Sequence, residues 1–439
     1  MDALLHGYSV NQPTWFYLSL LLIIAVYFRF TRVFSLRNVD LLLLLSASPG
    51  LIFVEAVSPT VQWAGHRWLL IVACLFLVRL FIDPVLSRRP YLGQNLNPQG
   101  MGFLCASAFA FLMTQAITEP PPAATQETIS RGIDLLNRTP DSDQTPTSGP
   151  TLTALAATGA LAFEDLAARV LAILGHAAVV VGLWFVGRNL FADKTLGLAM
   201  ATLYLLLPCT AYNVGEFNHV LPAALIVWAF VWFRRPIVSG VLLGLACGSL
   251  LFPVFLLPIW ASFYGRKGAG RFAMALGGVA IVLLGVLALT SSDSNSFLDK
   301  TVGTINIALV ALSGDTAVSG FWTNMDYLSV YRLPVMVAYF IMLVIMTVWL
   351  KPKTVEALLA QSTAAVVGTQ LWYTQQGGVY LLWYLPLMLM VVFRPRLLHL
   401  RNWSQDLSTV EQSNISPSRK NAPVAMTRGS ANRNLQLFR

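Results

Sequence analysis

The chain is a succession of continuous apolar runs, each close to the length of a bilayer, joined by short segments that hold most of its charge. A spanning helix needs roughly 20 mostly apolar residues. Runs of this kind fall near 14–30, 39–57, 67–86, 101–117, 167–187, 195–214, 218–233, 272–290, 333–350, 354–372 and 379–393. They read as about eleven crossings. In hydrocarbon every backbone N–H and C=O must be satisfied internally, which leaves helical bundles or closed barrels. A barrel would alternate apolar and polar residues, and these runs do not alternate. Composition agrees: 56% of residues are hydrophobic and only 11% charged, against about 25% charged in soluble proteins. The fold class is therefore all-α, a polytopic integral membrane protein. Its transmembrane domain covers 1–401, and the polar, basic segment 402–439 reads as a disordered cytoplasmic tail.

Arginine and lysine set the orientation, because short cytoplasmic loops retain them. If Arg29, Arg32 and Arg37 are cytoplasmic, alternation puts Arg88/Arg89, Arg188/Lys194, Arg234/Arg235, Arg266/Lys267 and Lys351/Lys353 on the same side. The opposite side receives Arg67, Arg131, Arg138, Arg169, Lys300 and Arg332. The expected topology is N-out, C-in, with external loops at 118–165 and 291–332. The net charge of +9 is then explained by topology and by anionic membrane lipid, without nucleic acid. The apolar stretch 237–265 has basic residues at both flanks. A break near Pro253 would return it to the cytoplasmic side as a re-entrant hairpin; a single tilted helix is the alternative. Within the first external loop, "ETISRGIDLLNR" puts Ile129, Ile133 and Leu136 on one helical face, while 139–150 reads as flexible.

Chemistry-bearing residues concentrate in "PCTAYNVGEFNHVLPAA", residues 208–224. Glu216 and His219 share a helical face at Glu-x-x-His spacing. Metal-binding bundles need further glutamates and a second such pair, so no metal is expected. The plain reading is a polar turn between two spans. The functional one makes Glu216 a base or hydrogen-bond acceptor and His219 a proton carrier or donor, with Asn213 beside them. Gln375 and Gln376, within "QLWYTQQGGVYLLWYLP", are amides that could hold hydroxyls, in an aromatic-rich segment. Lys300 and Arg332 are the cations best placed for a phosphate, whose geometry Arg suits. His176, deep in its span, reads as a neutral histidine bonded to a neighbouring helix. The four cysteines read as buried free thiols, and nothing in the chain signals a cofactor.

Two resemblances follow. "RNVDLLLLLSASPGLI", "GLAMATLYLLLPCTAYNVGEFNHVLPAALIVWAF" and "GTQLWYTQQGGVYLLWYLPL" resemble a family of uncharacterised multi-pass proteins from planctomycete-type bacteria. The segment "RRPIVSGVLLGLACGSLLFPVFLLPIWASFYGRKGAGR" resembles type-C, polyprenol-phosphate-sugar-dependent glycosyltransferases, with Phe252 where a basic residue often precedes the proline. That resemblance implies a bacterial inner-membrane enzyme transferring sugar from a lipid phosphate at the outer face. It also implies a catalytic acid in the first large external loop, where Asp134 and the Glu164–Asp165 pair are the matches. A transporter or flippase, or a non-catalytic membrane or assembly protein, is the alternative function.

Overall fold

The computed structural model describes residues 12–54, 56, 58–86, 92–137, 148–291, 321–322, 328–352, 354–373 and 380–397. By contacts the chain divides into Met1–Leu397 and Leu398–Arg439, and the tail 402–439 lies outside the described residues, as do Lys300, Gln375 and Gln376. Among the described residues all regular structure is helical. The helices are α1 (Gln12–Tyr27), α2 (Leu36–Leu45), α3 (Ala47–Val54), α4 (Pro59–Ile82), α5 (Pro98–Thr118), α6 (Ala123–Asn137), α7 (Pro150–Phe163) and α8 (Ala167–Asn189). They continue as α9 (Lys194–Leu206), α10 (Pro208–Tyr212), α11 (Phe217–Val231), α12 (Pro236–Cys247), α13 (Leu257–Thr290), α14 (Leu328–Val344), α15 (Val355–Thr369) and α16 (Leu381–Phe393). The apolar runs read from the sequence lie on helices, 39–57 and 195–214 on two each and 272–290 on the second arm of α13. By length and composition, 6 stretches of the described residues could cross a membrane, and α1, α9, α11, α12 and α16 are shorter apolar helices.

Local chemistry sets the helix starts. Ser35, Asn97, Asp193 and Thr354 accept backbone N–H bonds of the first turns of α2, α5, α9 and α15, satisfying donors that a helix leaves open. The centre of the molecule is α16, buried at every position from Leu381 to Phe393. A helix apolar on all faces belongs inside a bundle. Around it stand α9, α11 and α15, and α8 lies against α9 and α11. Gly187 of α8 meets Gly197 of α9 backbone to backbone, with no room for a Cβ; small residues permit such approaches between apolar helices.

The broken helix expected over 237–265 is present. The segment rises as α12, turns through Phe252–Leu256 and descends as the first arm of α13. At Gly265 the backbone takes φ 64°, a left-handed conformation that suits glycine, and a second arm runs on to Thr290. The two ends of the hairpin meet: Tyr264 Oη donates to the Phe233 carbonyl at 2.7 Å. The second arm lies alongside α12 in the same direction, since Gly240 faces Phe272, Gly244 faces Val279 and Gly248 faces Leu283. At the tip, Gly149 N–H donates to Ser249 O (3.0 Å) and Thr151 N–H to Gly248 O (2.9 Å). Non-helical backbone is tolerated in an apolar interior only when such partners exist.

One expectation for 118–165 needs correction. Residues 150–163 are not loop but helix α7, packed on α6 and α8. α6 forms as expected: Thr125, Thr128, Arg131, Gly132 and Leu135 are buried, while Ile133 and Leu136 are 43% and 42% exposed. The polar face is inside because it meets the polar turn before α11, described next.

Candidate functional site

The turn from α10 to α11 is held from three sides. From α8, His176 bonds Tyr204 Oη through Nδ1 (2.9 Å) and the Val214 carbonyl through Nε2 (3.1 Å). A carbonyl only accepts, so Nε2 carries the proton and Nδ1 receives the tyrosine O–H. The neutral, bonded histidine read from the sequence is what stands there. From α6, Thr125 Oγ1 donates to Gly215 O (3.0 Å). Asn218 Nδ2 donates to Ala124 O (3.0 Å) and to Thr128 Oγ1 (2.9 Å). From α16, Trp383 Nε1–H donates to His219 Nδ1 at 2.9 Å.

Glu216 stands at the N-cap of α11, yet its side chain makes no capping bond. Its Oε2 is buried without a hydrogen-bond partner. Burial pushes the carboxyl up to about 7, because the charged form loses its hydration. Two residues on, Asn218 Oδ1 is likewise buried and unbonded. Buried acceptors are normally satisfied, so this turn offers two oxygens to a donor that the described residues do not supply. A hydroxyl-bearing ligand has such donors.

Other expected site residues divide. His219 is 6% exposed, one turn of helix past Glu216, with Tyr380 and Trp383 rings at 6.1 and 5.7 Å. The amide of Asn213 is engaged by the Cys209 carbonyl (3.0 Å), so it closes its own helix. Arg332 is buried on α14 and donates through Nε to Trp372 O at 2.8 Å. An aromatic chain connects it to the histidine: Trp372 to Tyr373 at 6.0 Å, Tyr373 to Trp383 at 5.4 Å. Asp134 is half-buried on α6, ten residues beyond Ala124 and so about 15 Å along the helix axis. Asp165 is exposed in the short helical turn between α7 and α8. Neither carboxyl is brought to the turn by the bonds that pin α6 there.

Two features were not read from the sequence. Trp383 stood only within the aromatic-rich segment after Gln376, and its partner lies 164 residues away. At the other end of α16 sits a buried ion cluster. Arg79 grips Asp40 with both Nε (2.5 Å) and Nη2 (2.9 Å) and reaches Asp83 through Nη1 (3.1 Å). Arg394 pairs with Asp83 (2.5 Å) and Glu356 (3.1 Å). Acids set beside apolar runs, as in "NVDLLLLL" and "LFIDP", were the available signal. Among the described residues no group of histidines, cysteines and carboxylates could hold a metal.

No curated protein and no solved structure matches the chain. A family model does, over residues 147–374, from just before α7 through the hairpin and α15, with Glu216 and His219 inside the match and α16 outside it. Helices of this length and apolarity make the chain a membrane protein. With more than half of its length matched, it belongs to glycosyltransferase family 87.

Proposed function

We propose that the protein transfers a sugar from a polyprenol-phosphate donor to an acceptor hydroxyl at the outer face of the bacterial cell membrane, with Glu216 as the base. The observation that carries this reading is the buried, unbonded Glu216 oxygen on a turn held by three elements. A general base works best with a pKa near the working pH, and Glu216 lies at about 7. In the reaction, the acceptor O–H gives its proton to the Glu216 carboxylate while its oxygen attacks the anomeric carbon. The bond from that carbon to the phosphate oxygen breaks, and both electrons leave with the lipid phosphate. Arg332 or Lys300 stabilises the charge that grows there, where a fixed cation helps most. His219 and Asn218 hold oxygens in place. Asp134 and Asp165 are the other acids proposed for the base; the exposure of Asp165 and the axial distance of Asp134 favour Glu216 over both.

The test is transfer of labelled sugar from a polyprenol-phosphate donor in proteoliposomes. Glu216→Gln keeps the shape and removes the base, and a loss of about 10²–10⁴-fold is expected. Full activity in Glu216→Gln rejects Glu216, and full activity in a Glu216→Gln, Asp134→Asn, Asp165→Asn triple variant rejects the whole acid set.

A further inference from the structure

We propose that Tyr380 is a substrate-binding residue, whose phenol O–H donates to the oxygen of a substrate hydroxyl held beside Glu216. The proposal rests on the reading of the Glu216 turn given above. Tyr380 is 4% exposed, and its Oη is buried without a hydrogen-bond partner among the described residues. Buried tyrosines usually bond their hydroxyls. Tyr27, Tyr204, Tyr264 and Tyr339 do so, through Ala199 O, His176, Phe233 O and Ala365 O. Tyr380 departs from the rule beside His219, at 6.1 Å between ring centroids, and Glu216 lies three residues before that histidine. Its hydroxyl therefore stands at the same end as the unbonded oxygens of Glu216 and Asn218. A carboxylate and an amide oxygen only accept, whereas a phenol also donates. A substrate hydroxyl needs both kinds of partner, an acceptor for its proton and a donor for its lone pairs. Sugars and alcohols carry that group; an apolar ligand would leave all three atoms unpaired.

The ring is held with little freedom. Tyr380 caps the start of α16, with Trp383 4.4 Å away and Tyr373 meeting it edge-on at 5.1 Å and 87°. Trp383 is fixed in turn by its 2.9 Å bond to His219 Nδ1 and by Phe252 at the tip of the α12–α13 hairpin, stacked at 4.2 Å with planes 11° apart. Backbone bonds from Gly149 and Thr151 hold that tip. The hairpin thus reaches the substrate through two rings. A donor on a pre-set aromatic frame loses little entropy when its ligand arrives. Until then the protein carries a dehydrated, unbonded hydroxyl, which lowers its stability. For folding alone, phenylalanine would serve as well or better.

The experiment uses the full chain in lipid nanodiscs and Tyr380→Phe, which keeps the ring and removes the hydroxyl. Without substrate the variant should melt at or above the wild-type temperature, because an unbonded buried group is gone. With polyprenol-phosphate hexoses as donors and alkyl glycosides as acceptors, KM should rise about 3–10-fold, the worth of one neutral hydrogen bond. The change in kcat should be smaller, the pattern of a lost binding contact. A rise in donor KM puts the bonded hydroxyl on the transferred sugar; a rise in acceptor KM puts it on the acceptor. Binding is also read without turnover, from the rise in melting temperature that each substrate causes, which should be smaller in Tyr380→Phe. Among monodeoxy forms of the affected substrate, one should bind the wild type poorly and lose nothing further in the variant. A variant that melts below the wild type, or does not fold, shows a structural bond for the hydroxyl and overturns the proposal. Unchanged binding of both substrates overturns it too, as does a deoxy series that is additive throughout. The two readings fail separately. Active Glu216→Gln with weakened binding in Tyr380→Phe removes the base assignment only. Inactive Glu216→Gln with unchanged binding in Tyr380→Phe removes the role of Tyr380 only.

Discussion

Glu216 is an acid in a position where a shorter polar residue would cap the helix, and its carboxyl is left for something else. Its titration separates function from stability. Its folded pKa, about 7, lies above the ordinary value of 4.5. Between those values the unfolded chain has released the proton and the folded chain still holds it. Stability therefore falls as pH rises from about 4.5 to 7 and stays low above that. Activity runs the other way, because the base must be ionised. We expect the transfer rate to rise through pH 7 and level off. Glu216→Gln should melt at a higher temperature than the wild type at pH 8 and at the same temperature near pH 4.5. Equal melting at both pH values would mean that the carboxyl is not desolvated.

The hairpin is the element that ties architecture to site. Its tip is closed by the segment before α7, where Gly149 touches the Gly248 carbonyl and leaves no room for a Cβ. Gly149→Ala should cost about 1–3 kcal/mol, as overpacking against backbone does, and should slow transfer by displacing Phe252. Gly277 and Gly285, on the second arm, have nothing within 4 Å of a Cβ. Alanine there should leave transfer unchanged and stabilise slightly. Thermal melting and transfer rates of the three variants decide the point. The hairpin was legible in the sequence because basic residues flank both ends of an apolar stretch containing Pro253. What it touches was not. α7 was hidden by the Pro/Thr/Ser-rich stretch before it, which reads as loop. On α6 the periodicity gave the shared face of Ile129, Ile133 and Leu136 but not what the opposite face meets. Here Thr125 and Thr128 find the polar turn of Gly215 and Asn218, and Ile133 and Leu136 stay outside.

At the scale of the molecule, apolar runs gave the helices, since lipid and bundle interior demand the same residues. The partners that join distant helices leave no periodic trace: Trp383 with His219, and Asp83 with Arg394, have no local spacing to read. The ion cluster makes the largest stability prediction. Asp83 and Arg394 are each 1% exposed. Arg394→Met leaves Asp83 and Glu356 short of a partner and should cost about 3–5 kcal/mol, the usual loss when one member of a buried pair goes. Combining it with Asp83→Asn should recover part of that loss in thermal melting. An unchanged melting temperature in Arg394→Met would show that the cluster adds nothing to stability.

Asp83 and Arg394 are 311 positions apart in the chain. At roughly 5–20 residues per second of synthesis, the aspartate waits about 15–60 s for this arginine. Until then Arg79 bonds Asp40 and Asp83 without the contribution of Arg394. The cluster thus works as a clasp that the ribosome fastens last. A chain released before Arg394 would carry every residue of the Glu216 turn and still lack the ion pairs that close the far end of α16.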